Sequence, residues 1–165
     1  MFFIISSLIV IFCLILQTSL LTRWPCYGVI PDLSLIVVTC FSMNTNNVRG
    51  TTFGFLAGIM QDFISLKSPG ASSLCKTCIA FLSGHFRRNK QNPTLLPVLL
   101  IIINTLINEG IYLLFYLALS ANKSLPSNIL IKIYIQILVN LCCAPLFFLI
   151  FNRLGRLFTP RESII

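Results

Sequence analysis

Two stretches in the second half of the chain decide the fold: TLLPVLLIIINTLINEGIYLLFYLAL at residues 94–119 and ILIKIYIQILVNLCCAPLFFLIF at residues 129–151. Each exceeds the roughly 20 apolar residues that a helix needs to cross a lipid bilayer. The whole chain has the same character, because 56% of its 165 residues are hydrophobic and 10% are charged. An ordinary soluble domain has about 25% charged residues. The composition therefore indicates an all-α integral membrane protein and excludes a soluble globular domain.

Four further segments precede these two, and together the six predict a six-helix transmembrane bundle. The first segment carries no charge and is interpreted as a retained helix, because no basic residue precedes it and no cleavage pattern follows it. Pro31 is well suited to the first position of the second helix. The third and fourth segments are short, and the fourth is polar. The chain is predicted to be one membrane domain, residues 1–165, with spans at about 2–22, 31–44, 50–66, 71–86, 94–119 and 129–151 and a short basic tail at 152–165.

The basic residues predict the orientation of these helices, because Lys and Arg are enriched in the cytoplasmic loops of membrane proteins. The net charge of +8 is therefore interpreted as a topology signal and not as a nucleic-acid surface. With the N-terminus in the cytoplasm, the external loops contain Arg23, Lys67 and Lys123. Both termini are then cytoplasmic, and the cytoplasmic segments contain seven basic residues. If the fourth segment lay flat and only five segments crossed the membrane, these basic residues would be divided between the two sides. These residues are Arg49, Arg87, Arg88, Lys90, Arg153, Arg156 and Arg161.

A glycine stripe, Gly50, Gly54 and Gly58, continues to Asp62 along one face of the third helix, because each residue follows the last by four. Glycine at this spacing lets another helix approach closely in lipid. Helix packing is the first interpretation of the stripe. An acid in a span is costly and usually has a partner or a function. Asp62 is predicted to pair with Lys76, which lies near the external end of the fourth helix.

Helices five and six each carry a row of polar residues, and antiparallel neighbours could bring the two rows face to face. One row contains Asn104, Asn108, Tyr112 and Tyr116, and the other contains Lys132, Gln136 and Asn140. Glu109 lies beside the first row and needs a partner in lipid. It is predicted to contact Lys132 if it is ionised, or to donate to Gln136 if it is neutral. The two rows either stabilise the bundle or contact a ligand or partner.

No catalytic, cofactor or metal site is predicted. Cys75 and Cys78 lie on one face of the fourth segment, but zinc prefers four ligands and the only histidine is His85, at the other end of that segment. An aspartyl peptidase would need paired acids. Asp32 instead suits the positive start of the second helix, and Asp62 is in a different sequence context. No Ser-His-Asp set and no nucleotide-binding loop is found.

A set of short strings covers residues 31–70: Pro31-Asp32-Leu33, Gly50, Gly54-Phe55, Gly58, Gln61-Asp62-Phe63 and Gly70. This pattern, with the length and the six spans, resembles the family of bacterial rod shape-determining proteins named MreD. The resemblance implies an inner-membrane component of the cell-wall elongation machinery that helps to maintain cell shape. It implies an MreC-like single-span partner and, through it, the actin-like filament and the peptidoglycan synthases. It also implies a bundle similar to the substrate-binding component of energy-coupling-factor vitamin transporters.

Two functions follow from these observations. The first is a non-enzymatic scaffold, surrounded by membrane lipid, that binds a partner helix through the glycine stripe and an external cluster of charged residues. That cluster contains Asp32, Asp62, Lys67 and Lys76. The alternative is the small-molecule-binding component of a membrane transporter, in which Asn108, Glu109, Gln136 and Lys132 bind a polar solute. A pocket open to the outside would favour the alternative.

Overall fold

Six α-helices form the part of the chain that the structure describes. The structure is a computed structural model, and it describes residues 2–21, 29–65, 70–86, 95–119 and 128–158. A π-helical turn, Gln17–Leu21, continues the first helix. The helices are α1 (Phe2–Leu16), α2 (Leu33–Asn44), α3 (Asn47–Ser65), α4 (Ala71–His85), α5 (Leu95–Leu119) and α6 (Ile129–Phe158).

The helix bounds follow the predicted spans with three differences. α2 begins at Leu33 and not at Pro31, because the Asp32 side chain caps the helix and accepts a 3.0 Å hydrogen bond from the Leu35 N–H. α3 begins at Asn47, three residues before the predicted start at residue 50. α6 continues to Phe158 and so takes in the first half of the predicted tail. A basic side chain such as Arg153 is favourable near the C-terminal end of a helix.

The centre of the bundle is α2. Every residue of this helix from Leu33 to Ser42 is buried, and α2 packs against each of the other five helices. The aromatic ring of Phe41 stacks on that of Phe53 in α3, with 4.1 Å between the ring centroids. Because this short helix is enclosed on all sides, polar groups at its ends also lie inside the bundle.

Two outer helices, α5 and α6, have the length and composition of membrane spans among the described residues. Their apolar segments are Leu95–Ala118 and Ile129–Gly155. Only 28% and 17% of the most apolar windows of these helices are buried inside the bundle. Shorter apolar helices occupy Phe3–Ser19 and Leu33–Asn44. The exposed apolar surface of α5 and α6 is what lipid-facing helices present.

The short helix α4 has its polar side turned inward. Ser72, Lys76 and Ser83 are buried, whereas Leu74 and Phe81 are exposed. A soluble protein would normally have the opposite arrangement. The polar composition that made this segment doubtful as a span is therefore explained by its inner face.

The glycine stripe of α3 is covered within the bundle. A Cβ atom placed on Gly54 would lie 2.6 Å from the Cβ of Ala80, and one on Gly58 would lie 2.6 Å from the carbonyl oxygen of Ser72. A Cβ atom on Gly50 would lie 3.0 Å from the hydroxyl oxygen of Ser42 in α2. The stripe thus packs α3 against α4 and α2. It does not form the free face that was predicted for a partner helix.

Candidate functional site

A buried ion pair joins the start of α2 to the middle of α4. The Lys76 Nζ donates to both carboxylate oxygens of Asp32, at 3.3 and 3.1 Å. The lysine side chain is fully buried. Asp32 also accepts hydrogen bonds from Ser34 Oγ and from the Leu35 N–H. A buried charge needs this degree of compensation, since an unpaired charge in the interior is costly.

The predicted pair between Asp62 and Lys76 is wrong. Asp62 instead binds the start of α4, where its carboxylate accepts from the backbone N–H groups of Gly70, Ser72 and Ser73 and from the Ser73 hydroxyl. A carboxylate is favourable at the positive end of a helix. Asp32 and Asp62 lie at the same end of the bundle. Position along the membrane normal, on which the prediction rested, therefore does not show which of the two acids pairs with Lys76.

Amide side chains on α5 and α6 connect the centre of the bundle. Asn140 accepts from the Asp32 N–H at 2.9 Å and donates to Thr105 Oγ1 at 3.1 Å. Asn104 donates to Thr39 in α2 and to Ser83 in α4. The two polar rows therefore do not simply face each other. α5 packs against both α4 and α6, and its row turns mainly toward α2 and α4.

A cavity of about 450 Å³ lies above the ion pair, at the end of the bundle where α3 ends and α6 begins. This volume is within the range of about 300–1,000 Å³ that small-molecule sites usually have. Thr18 and Ile64 in its wall are exposed. The residues that line it come from α1, α3, α5, α6 and the segment before α2: Leu14, Gln17, Thr18, Ile30, Asp32, Gln61, Ile64, Asn108, Glu109, Tyr112 and Gln136.

Two of the lining residues carry a buried oxygen atom that has no hydrogen-bond partner among the described residues. They are Gln17 Oε1 and Asn108 Oδ1, and Asn108 is only 3% exposed. Buried polar atoms are nearly always paired, so each exception needs an explanation. Both atoms belong to residues of the same cavity wall. Three other such atoms, Ser42 Oγ, Asn47 Oδ1 and Asn104 Oδ1, lie outside the cavity lining.

Sequence reasoning missed the contribution of the first helix to this site. Gln17 and Thr18 lie in the π-helical turn Gln17–Leu21, and such turns are frequent at functional sites. A π-helical turn changes which side chains face inward, so α-helical periodicity alone does not predict it. The available signal was the polar run Gln17-Thr18-Ser19 near the end of a mostly apolar segment.

Glu109 makes neither of the contacts that were predicted for it. Its Oε1 accepts a long hydrogen bond of 3.5 Å from the neighbouring Asn108 amide. Gln136 instead donates to the carbonyl oxygen of Ile30 at 2.9 Å. Lys132 is exposed and is not in the cavity lining, because it lies one turn beyond Gln136 on α6. Three of the four residues predicted for a solute site thus line one cavity.

The two acids predicted at the external end do not meet in the structure. The carboxylates of Asp32 and Asp62 are each held at a different helix start, so they do not form the paired acids of an aspartyl peptidase. Among the described residues, no group of three or more His, Cys, Asp and Glu side chains could hold a metal ion. Tyr112 is held by a 2.6 Å hydrogen bond to Ser72. The described residues of the cavity wall offer a molecule amide groups, the carboxylates of Asp32 and Glu109, two hydroxyl groups and apolar side chains.

Comparison with known protein families gives a match over most of the chain. Residues 3–154 match the family described as 5TMR of 5TMR-LYT, a five-transmembrane family associated with LytS. The chain belongs to this family. It is therefore a membrane-integral helical protein. Comparison with curated proteins and with solved structures found no match, so the expected similarity to energy-coupling-factor components stays a prediction.

The resemblance to the MreD family is wrong, because the family match is to 5TMR-LYT and nothing supports MreD. The strings that suggested it have structural roles here. Asp32 caps α2, and Gly54 and Gly58 allow α4 to approach α3. Capping acids and close-packing glycines are needed by many helical membrane proteins, so they do not distinguish one family from another. The MreC-like protein and the other partners were implied by this resemblance alone, so the resemblance no longer supports them.

Proposed function

We propose that this chain is a non-enzymatic, membrane-embedded binding component that takes a small polar molecule into the cavity above the ion pair. The observation that carries the proposal is the pair of unpartnered oxygens, Gln17 Oε1 and Asn108 Oδ1, in the wall of one cavity. Most buried polar atoms in proteins are paired, and these two belong to residues in the wall of one cavity. Unpaired atoms that share a cavity wall are what a ligand site presents before the ligand binds.

Rigid surroundings support the same function. Asp32 is fixed by Lys76 at the floor, Tyr112 by Ser72, and Gln136 by Ile30. A binding site is more selective when its walls are already held in place before the ligand arrives. The wall residues around the Gln17 and Asn108 oxygens are therefore already held in place before a ligand binds.

The scaffold function stays a prediction that no observation tests. Its proposed contact surface, however, is occupied. Gly54 and Gly58 are covered by α4, and Asp32 and Lys76 are buried against each other. Lys67 lies outside the described residues.

The proposed location is the bacterial cytoplasmic membrane, with both termini in the cytoplasm and the cavity facing outward. Arg49 at the start of α3 and Arg153 near the end of α6 lie at the end of the bundle opposite to the cavity. Positive residues mark the cytoplasmic side. Alkaline phosphatase fused after residue 165 should be inactive, since this enzyme works only outside the cytoplasm. An active fusion would show that the C-terminus lies outside the cytoplasm and would contradict this orientation.

The binding function can be tested by blocking the cavity mouth. Purified full-length protein is mixed with the small-molecule fraction of a bacterial extract, and its melting temperature is compared with that in buffer. Wild type should be stabilised, because a ligand that binds only the folded state raises its stability. Thr18→Trp should lose this stabilisation, since the indole fills the exposed rim of the cavity.

Ser19→Trp is the matched control, because Ser19 is also exposed but does not line the cavity. It should respond to the extract as wild type does. No stabilisation of wild type, or equal stabilisation of Thr18→Trp, would contradict the proposed function.

A further inference from the structure

The chemistry of the cavity wall points to one class of ligand, and this inference rests on the proposed function. We infer that the cavity binds an organic cation: a small molecule with a protonated amine at one end and an apolar body.

The first step concerns charge. The described residues include three acids, Asp32, Asp62 and Glu109. Asp32 is paired with Lys76, and Asp62 is bound by the backbone N–H groups at the start of α4. Glu109 alone among them has neither a cation nor a helix start against its carboxylate, and the described residues that line the cavity include no Lys, Arg or His. An ionisable residue within a membrane usually marks a functional site.

The second step concerns hydrogen bonding. The two unpartnered buried atoms in the wall, Gln17 Oε1 and Asn108 Oδ1, are both acceptors. The Asn108 amide nitrogen makes a long hydrogen bond of 3.5 Å to Glu109, and the amide oxygen is the atom that has no partner among the described residues. A protonated primary amine has three donors and no acceptor. It therefore suits a cavity wall that contains the Glu109 carboxylate and amide acceptors, whereas a carboxylate or phosphate ligand would meet a like charge.

The third step concerns size. A water molecule takes up about 30 Å³ in the liquid, so a cavity of about 450 Å³ is much too large for a bare metal ion. Leu14, Ile30 and Ile64 provide apolar wall beside the polar groups. Such a surface is suited to the carbon skeleton of an organic molecule.

Three indole compounds of nearly equal size test this inference: tryptamine, which is a cation, tryptophol, which is neutral, and indole-3-acetate, which is an anion. Binding of each to the full-length protein in phosphatidylcholine nanodiscs is measured by equilibrium dialysis, and binding to empty nanodiscs is subtracted. Tryptamine should bind at least about ten-fold more tightly than either of the others. Hydrogen bonds to charged groups are strong enough to give a factor of this size.

Variants then assign the preference to the carboxylate. Glu109→Gln should reduce tryptamine affinity at least about ten-fold and leave tryptophol affinity within about two-fold. Asn152→Lys is the control, because it makes the same change in net charge at an exposed position near the far end of α6. It should bind tryptamine as wild type does. Adding Gln17→Glu to Glu109→Gln returns one carboxylate to the wall and should restore the preference for tryptamine.

The possible outcomes separate the two proposals. If all three compounds bind equally, or if indole-3-acetate binds most tightly, the cation inference is overturned and the binding function stands. If Glu109→Gln leaves the preference for tryptamine intact, the role of the carboxylate is overturned. If none of the compounds binds, the result contradicts both the inference and the proposed function.

Discussion

At the scale of single residues, the buried ion pair between Asp32 and Lys76 is the interaction with the largest expected effect. Lys76→Met removes the cation and leaves the buried carboxylate without its partner. Breaking a buried pair in this way costs about 3–5 kcal/mol. The variant should therefore melt at a clearly lower temperature than wild type in detergent micelles.

A double-mutant cycle distinguishes this pair from the one that the sequence suggested. Asp32→Asn combined with Lys76→Met should cost much less than the sum of the single changes, because the double variant leaves no unpaired charge. Asp62→Asn combined with Lys76→Met should be additive, since Asp62 binds the start of α4. Coupling of Lys76 to Asp62 and not to Asp32 would show that the structure assigns the pair incorrectly.

Two buried asparagines provide a second test at this scale. Asn140 has both of its amide groups paired, whereas the Asn108 oxygen has no partner among the described residues. Asn140→Leu leaves the Asp32 N–H and the Thr105 hydroxyl without that partner and should cost about 1–3 kcal/mol. Asn108→Leu should cost less and can even stabilise the unliganded protein, because it removes an unsatisfied atom.

The comparison of melting temperatures for these two variants is informative because residue type, burial and replacement are the same. Asn108→Leu should also lose binding in the nanodisc assay. A larger loss of stability for Asn108→Leu than for Asn140→Leu would indicate that Asn108 is a structural residue.

At the scale of helices, the close contact between α3 and α4 depends on the glycine stripe. Gly54→Ala places a methyl group 2.6 Å from the Ala80 Cβ, and overpacking of this kind typically costs about 1–3 kcal/mol. Gly110→Ala on α5 is the matched control, since a Cβ there meets nothing within 4 Å. It should be neutral or stabilising by up to about 1 kcal/mol. Thermal melting of both variants checks this, and equal effects would contradict the packing.

The sequence pattern as a whole predicted the six helices that the structure describes, but hydropathy alone predicted neither the polar fourth helix nor all of the helix ends. Hydropathy marks where lipid contact stops, and a helix can continue beyond that point. α6 therefore extends past residue 151 to Phe158. The start of α2 was predicted at Pro31, but the side chain of Asp32 sets the helix start through its hydrogen bond to the Leu35 N–H. Such local caps are only partly visible in the sequence.

The partners of polar residues were harder to predict than the helices that carry them. The transporter alternative grouped Asn108, Glu109 and Gln136 with Lys132, and the first three of these residues line the cavity. Rotation about each helix axis decided the actual contacts. A row at four-residue spacing on α5 can face α4, α6 or α2, and the sequence does not distinguish these directions. The same uncertainty led to the wrong partner for Lys76.

At the scale of the whole molecule, polar groups are concentrated inside the bundle and large apolar side chains outside it. Buried residues include Lys76, Asn104 and Asn140, whereas exposed residues include Leu130, Leu146 and Leu149. This distribution suits lipid as the surrounding medium, because buried polar groups can bind one another while apolar groups face the acyl chains. It also explains how a chain with so few charges can enclose a polar cavity.

The central claim is that this polar cavity holds a small molecule, and native mass spectrometry of the full-length protein tests it most directly. Protein is taken from bacterial membranes into nanodiscs and released intact in the instrument. We expect a population whose mass exceeds that of the polypeptide by one non-lipid molecule, present for wild type and Ser19→Trp and missing for Thr18→Trp. Spectra with only bare polypeptide and lipid adducts, or an adduct that Thr18→Trp retains, would contradict the claim.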